Sequence, residues 1–280
     1  MIRIAIAASA LALALALPAP AHAQATLTMS GSSVAQAVLA DLAYFYGRAN
    51  PDAPRFSLVG GGTTIGIIDA SRRIVDAGMV SRNLGPGDPP GLVLTAFALS
   101  GVCLVTNAGN PVPGLTRAQV QDLVAGRVTN WSQVPGSTRT DAIVPVALEL
   151  TAGARLVFES VFLDVTTPIA YAPRTFAVAA QVRDFVQATP AAWGYVDLAL
   201  VSSLHAMTYE GVPCKRDTIR TGAYPAQRPL GVVTRGRPRG ALARFLRWVG
   251  TGRKAREVIA SRYLPIRPLR SLPSPASAAR

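Results

Sequence analysis

The sequence predicts an α/β chain folded as two lobes, and three observations carry that expectation. From Thr26 to Arg82 short apolar strands alternate with helically spaced segments, and each strand ends in small or hydroxyl residues, as βαβαβ units do when their C-terminal edge forms a site. After a long apolar segment, Leu92 to Thr106, the strand and helix pattern restarts instead of closing. The last third then returns to strand and helix patterns after the second series has ended.

Thr26 to Ser30 alternates like a strand, Gly31-Ser32-Ser33 supplies a turn and a cap, and Val34 to Arg48 carries apolar residues at helical spacing. Phe56 to Val59 is a second strand, Ile67 to Val75 a helix, and Asp76 to Val80 a third strand ending at Ser81-Arg82. Asn83 to Gly91 is a loop rich in Pro and Gly. In the second series Thr116 to Gly126 is a helix capped by Thr116, Ile143 to Ala147 a strand, and Ala152 to Phe162 and Thr175 to Ala188 are helices. Ala192 to Val196 is a buried strand, and Met207 and Tyr209 alternate with polar neighbours. The closing third gives a strand at Pro229 to Thr234 and helices at Gly240 to Trp248 and Arg253 to Arg262.

Met1 to Ala23 reads as a secretory signal peptide: one early Arg3, an apolar run from Ile4 to Leu17, then Ala21-His22-Ala23 as a small-x-small cleavage site. The run is short of the ~20 residues a membrane span needs. Leu272 to Arg280, rich in Ser, Pro and Ala, is expected to be a frayed, disordered tail. The formal net charge is +13, and from Gly211 onward 16 Lys or Arg stand against Asp217 and Glu257 alone. These charges are dispersed over strand and helix patterns, which suits a solvated basic face more than a nucleic-acid tract. Cys103 and Cys214 are the two cysteines. They are able to pair in an oxidising compartment, and a buried free thiol at Cys103 is equally natural.

Val59-Gly60-Gly61-Gly62-Thr63-Thr64-Ile65-Gly66 is a glycine loop between a strand and a helix. Glycines let the backbone approach a ligand, and the first N–H groups of a helix carry partial positive charge, so the loop is a candidate anion seat; an ordinary strand-to-helix turn is the plainer reading. It lacks the Lys of a phosphate-hydrolysing P-loop and the Gly spacing of a dinucleotide site.

Six phrases in order resemble the phosphate-binding proteins of bacterial ABC phosphate importers, which have the type II periplasmic binding fold. They are Gly31-Ser32-Ser33-Val34, Gly60 to Gly66, Asp76-Ala77-Gly78-Met79-Val80-Ser81-Arg82, Thr129-Asn130-Trp131-Ser132, Trp193-Gly194-Tyr195-Val196 and Gly222-Ala223-Tyr224-Pro225-Ala226-Gln227-Arg228-Pro229-Leu230. The resemblance implies two α/β lobes, each a mixed sheet flanked by helices, joined by crossing hinge strands. It sets residues 24–100 plus 207–271 in lobe 1 and 101–206 in lobe 2. It also implies a site in which Ser33 gives a hydroxyl, Val34 an N–H, Thr63 a hydroxyl, and Ser81 and Arg82 a hydroxyl and a charge. Each has a plainer alternative: Ser33 and Thr63 as helix caps, Arg82 as a solvated loop residue.

The second-lobe half departs from the family pattern. Where the family has Arg, an acidic pair and Gly-Ser-Gly-Thr, this chain has Leu148-Glu149-Leu150-Thr151-Ala152-Gly153-Ala154-Arg155. Gly153 and Ala154 retain backbone N–H groups, Arg155 a charge, and Thr151 is a candidate cap. Two hydroxyls lost at about 1.5 to 3 kcal/mol each amount to roughly two to four powers of ten in affinity, so phosphate is expected to bind weakly or not at all unless Arg82 and Arg155 turn inward.

No catalytic residue, metal site or cofactor is expected. After the signal segment His205 is the one histidine, no His/Cys/Asp/Glu set has metal-ligand spacing, and Asp76 and Glu149 are the carboxylates nearest the site. The expected function is a monomeric periplasmic receptor, not an enzyme, that takes a small oxyanion, phosphate or a relative, to an inner-membrane ABC permease, with no nucleic-acid partner. The alternative is an interaction or adhesion protein that has lost the small ligand and binds polyanions through its basic C-terminal face.

Overall fold

A computed structural model describes residues 24–273 except 165, 171 and 172. The expected signal peptide, and the tail from residue 274, lie outside the described residues. In chain order the elements are β1 (Thr26–Gly31), α1 (Ser33–Ala49), β2 (Arg55–Gly60), α2 (Thr63–Ser71), β3 (Ala77–Val80), β4 (Leu92–Thr106), β5 (Gly114–Leu115), α3 (Arg117–Val124), β6 (Val144–Leu148), α4 (Gly153–Phe162), β7 (Arg174–Phe176), α5 (Ala179–Ala188), β8 (Ala192–Asp197), β9 (His205–Ala206), β10 (Thr208–Tyr209), α6 (Arg216–Thr221), β11 (Gln227–Arg235), α7 (Gly240–Thr251), α8 (Arg253–Ala260) and β12 (Leu264–Pro273).

The strands run in the order β2-β1-β3-β11-β4-β8-β6-β7. β1, β2 and β3 are parallel, with Gly31 level with both Gly60 and Met79, so their C-terminal ends share one edge. β6, β7 and β8 form a second parallel set, which again turns its C-terminal ends to one edge. Such edges are where open α/β sheets place their sites.

β4 joins the two halves. Its 15 residues are almost entirely buried, which reads in the sequence as an unbroken apolar run. Leu92 to Gly101 pairs antiparallel with β11, and Val102 to Thr106 pairs antiparallel with β8. Arg228 of β11 therefore faces Ser100, and Asp197 at the end of β8 faces Val102. Arg228 and Asp197 meet where the strand passes from one half to the other. The returning chain is fastened there by a disulfide between Cys103 and Cys214, with Cα atoms 5.6 Å apart, which settles the question left open by the sequence.

Aromatic rings fill both halves. Tyr46, Phe56, Phe245 and Trp248 pack edge-to-face or tilted between α1, β2 and α7, and Phe158 stacks on Tyr195 with centroids 4.3 Å apart on the other side. Trp131 of the Thr-Asn-Trp phrase is wholly buried and donates its indole N–H to the Ala191 carbonyl, while Asn130 caps the short turn that carries it.

Several elements differ from the expected ones. α2 begins at Thr63 rather than Ile67, because Gly62 turns the chain at φ +92° and the helix starts directly from the glycine loop. Residues 174–176 form β7 on the edge of β6 instead of opening a helix. Thr208–Tyr209 pairs in parallel with Gly114–Leu115, so the chain is still beside β5 at this point. Leu272 and Pro273, placed in the disordered tail, pair with Leu94 and Val93 of β4 as the end of β12. β12 is hard to see in sequence because Pro265 and Pro268 interrupt it; the register slips between Pro265 and Arg270, as prolines in strands require.

Candidate anion site between the two halves

Four helix N-termini converge on one small cavity of about 10 Å³. It is lined by Ser32, Ser33 and Val34 at the start of α1, Gly62 and Thr63 at that of α2, Ala152, Gly153 and Ala154 at that of α4, and Ala179 of α5 with Ala177 just before it, with Ser81, Leu148 and Arg228 completing it. That is room for about one water, so the two halves are closed on each other. The first N–H groups of a helix have no partner within it and carry the positive end of its dipole, about half a charge each, so four helices present roughly +2 to this point.

Sequence chemistry explains why these N-termini stay available. α2, α4 and α5 have no side-chain cap, their N-cap residues being Gly62, Ala152 and Val178. No acidic residue stands in the first turn of any of the four. On α1 the cap is Ser32, whose Oγ accepts from the Ala35 N–H at 3.3 Å, so Ser33 is the first helical residue and its hydroxyl is not used as a cap. Thr151 does not cap α4 by its side chain. Its carbonyl instead accepts the Thr64 N–H across the cleft at 3.2 Å.

The closure is tight. A Cβ on Gly62 would come within 2.6 Å of the Thr151 carbonyl, and one on Gly153 within 2.5 Å of the Thr63 hydroxyl and 2.6 Å of the Ser81 hydroxyl. Thr63, wholly buried, accepts the Ser81 N–H at 3.1 Å and shares a hydrogen bond with the Ser81 hydroxyl at 3.2 Å. An oxyanion larger than one water enters only as the halves separate, the hinge motion that a two-lobed fold allows.

Arg228 supplies the charge at this cavity. Its side chain is 1% exposed, one terminal nitrogen donates to Asp197 at 2.7 Å, and the other donates to the hydroxyl and carbonyl of Ser81 at 3.0 and 3.2 Å. Asp197 also accepts from the Ser100 hydroxyl at 2.8 Å and the Ala199 N–H at 3.1 Å. The Nε of Arg228 is buried and has no hydrogen-bond partner among the described residues. A buried donor in that condition is costly.

Of the residues expected at the site, Ser33, Val34, Thr63, Ser81, Gly153 and Ala154 come together there. Arg82 and Arg155 do not line this cavity. Arg82 points into a separate groove and holds Asp88 in a bidentate pair at 2.6 and 2.7 Å. Burial acts to raise the Asp88 carboxyl, but the hydrogen bonds from Arg82 and the Gly85 N–H, with the guanidinium charge, outweigh it and hold Asp88 below the usual carboxylate range. Arg155 runs along its own helix to Glu159 and back to the Leu148 carbonyl at 3.2 Å. Leu148 is also fixed from beneath, its N–H donating to the Tyr195 hydroxyl at 3.2 Å.

Arg228 is the residue that local reading missed. The one signal for it was its place in the Gly222 to Leu230 phrase. The remaining candidates have structural work: Asp76 ties β3 to β1 by accepting the N–H and hydroxyl of Thr28, and the half-buried His205 bonds the Val112 carbonyl at 2.7 Å. Among the described residues no group of three or more His, Cys, Asp or Glu could hold a metal ion, and no helix is long and apolar enough to cross a membrane.

Known proteins resemble this architecture. The family model described as PBP superfamily domain matches residues 18–251. A Clostridium perfringens protein solved with bound phosphate superposes with a TM-score of 0.78 at 23% identity, covering 86% of this chain and 100% of that one. An ABC-type phosphate transport receptor of Vibrio cholerae does so with a TM-score of 0.70 at 25% identity, covering 85% and 99%. Phosphate-binding protein PstS of Bacillus subtilis is 23% identical over 85% of this chain and 79% of its own. Phosphate-binding protein PstS 2 of Streptococcus pneumoniae is 30% identical, and that match spans 37% of this chain and 35% of the relative. With its family model spanning most of its length and its two-lobed α/β fold shared with these structures, the chain belongs to the PBP superfamily.

Proposed function

We propose that the chain is a periplasmic solute-binding protein that takes a tetrahedral oxyanion of the phosphate type between its lobes and delivers it to an inner-membrane ABC permease. The observation that carries this reading is the convergence of four helix N-termini, the hydroxyls of Ser33 and Ser81, and buried Arg228 on one cavity. Donors dominate there and the one lining cation is already paired with Asp197, so the dipoles supply most of the field an anion meets. In this reading residues 24–100 with 207–271 and residues 101–206 are the lobes, except that Thr208–Tyr209 stays paired with Gly114–Leu115 of the second, and residues 1–23 are removed on export. The relatives are named for binding and transport, which supports a receptor rather than an enzyme.

Inorganic phosphate is expected to bind weakly, because Ala152 and Ala154 place methyl groups where the family has hydroxyls and Leu148 replaces an arginine. A thermal-melt screen with phosphate, phosphonates, sulfate, molybdate and arsenate tests the reading, since a ligand that binds only the folded state raises its melting temperature. A rise with one or more of these anions supports it, and no rise with any of them rejects it.

A second reading has its own observation. Arg73, Arg235, Arg237 and Arg239 border a polar groove of about 800 Å³ away from the cleft, a surface suited to polyanions. Binding of a polyanion that falls steeply with salt favours this reading, whereas the cleft reading calls for stoichiometric anion binding with weak salt dependence.

A further inference from the structure

A second groove lies against the anion seat. Ser33 and Ala177 border the seat and also border this larger groove of about 590 Å³ between α1 and the turn from β7 into α5. Ala37 and Ala40 of α1 line one side of this groove and Val178, 40% exposed, lines the other. Its polar groups are few. The Gln36 amide already donates to the Leu58 carbonyl at 3.0 Å, and Glu149 stands at the rim.

The seat itself is lopsided. Ser33, Thr63 and Ser81 bring hydroxyls and Arg228 a guanidinium to its lining, whereas Leu148, Ala152, Ala154, Ala177 and Ala179 bring apolar side chains. Inorganic phosphate has four oxygens in four directions, and each one desolvated without a donor is penalised. A phosphonate or phosphate monoester has three terminal oxygens that share its charge and one direction, that of the organic group, that needs no donor. That shape fits a seat whose lining is part polar and part apolar, with an unpartnered buried Nε on Arg228 and a largely apolar groove next to Ala177.

Resting on the reading of the cleft as an oxyanion seat, we infer that the ligand is a phosphonate or phosphate monoester with a short apolar group. The anionic head lies at the helix N-termini beside Arg228, and the organic group passes between Ser33 and Ala177 into the groove. Glu149 at the rim selects against a tail carrying its own carboxylate.

Calorimetry on the intact exported chain, with inorganic phosphate, methylphosphonate, butylphosphonate and 3-carboxypropylphosphonate as probes, tests this. Each fully buried methylene is worth about fourfold in affinity, and the groove is open on one side, so butylphosphonate is expected to bind about tenfold tighter than methylphosphonate. Both are expected to bind tighter than inorganic phosphate, and the carboxylated probe more weakly than butylphosphonate. Ala37→Trp fills the groove and is expected to bring butylphosphonate down to the methylphosphonate value while changing methylphosphonate less than twofold. Ala40→Trp, one turn along the same helix, repeats the test if the first variant folds poorly. Inorganic phosphate binding as tightly as butylphosphonate overturns the inference and leaves the oxyanion seat standing. Equal loss of both alkylphosphonates in the groove variants overturns the exit path. No saturable binding of any probe overturns the inference and the seat together.

Discussion

Replacing Arg228 by Met separates what this residue does for folding from what it does for an anion. The Arg228–Asp197 pair is almost wholly buried, at 1% and 0% side-chain exposure. Removing one partner leaves the Asp197 carboxylate in the interior without its cation, although Ser100 and Ala199 still donate to it. Breaking such a pair costs about 3 to 5 kcal/mol, whereas replacing both members is often neutral. For a chain of this size that is a fall of roughly 6 to 20 °C in melting temperature for Arg228→Met, most of it recovered in Arg228→Met/Asp197→Asn. Anion affinity behaves differently, because the double variant restores stability without restoring the guanidinium. One hydrogen bond between charged groups is worth about 1.5 to 3 kcal/mol, so affinity is expected to fall by roughly 10- to 150-fold in both variants. Differential scanning calorimetry gives the first quantity and isothermal titration with the best-binding oxyanion the second. A double variant that binds the anion as the unmodified protein does would refute the placing of Arg228 against the ligand.

Four further outcomes follow from the same contacts. Ala152→Ser/Ala154→Thr is expected to tighten inorganic phosphate by about two to four powers of ten, and adding Leu148→Arg with or without Leu150→Glu to tighten it further; unchanged titration curves would count against the methyl groups as the weak point. Cys103→Ser/Cys214→Ser removes a crosslink spanning 111 residues and should cost about 4 to 5 kcal/mol in urea unfolding, matched by the reduced form of the unmodified chain. Gly62→Ala meets both a left-handed φ and the Thr151 carbonyl at 2.6 Å, so it should lower anion affinity and leave a larger radius of gyration in small-angle scattering at saturating anion. Asp88 titrates below its ordinary value, so the stability it contributes is present above about pH 4 and is lost as the pH falls through its folded value; urea midpoints measured from pH 6 to pH 2.5 should show that loss in the unmodified protein and not in Asp88→Asn.

What could be read from the sequence was what local pattern carries. The parallel strands β1 to β3, the helices after them and the glycine loop each have a period or a turn residue that announces them. So did the hydroxyls, since Ser33, Thr63 and Ser81 sit at strand ends that the fold brings to one edge. The charges are harder to place, for a reason of the opposite kind. Arg82 is next to a site residue in sequence, but Asp88 lies six residues on and captures it within its own loop. Arg155 likewise finds Glu159 one helical turn away. Arg228 reaches the seat only because β11 returns between β3 and β4, 147 residues from the Ser81 it contacts, and no local feature marks such a return. The disulfide was undecidable for the same reason: its two strands of sequence meet only after β4 has crossed between the halves.

In the proposed function a tetrahedral oxyanion sits where the four helix N-termini meet. Arsenate has the shape and charge of phosphate and scatters anomalously, so a crystal grown with it reports the position of the anion directly. One dominant anomalous peak is expected within hydrogen-bond distance of the Ser33 and Ser81 hydroxyls and the Arg228 guanidinium. A dominant peak elsewhere, such as among Arg73, Arg235, Arg237 and Arg239, with none at the helix N-termini, would contradict it.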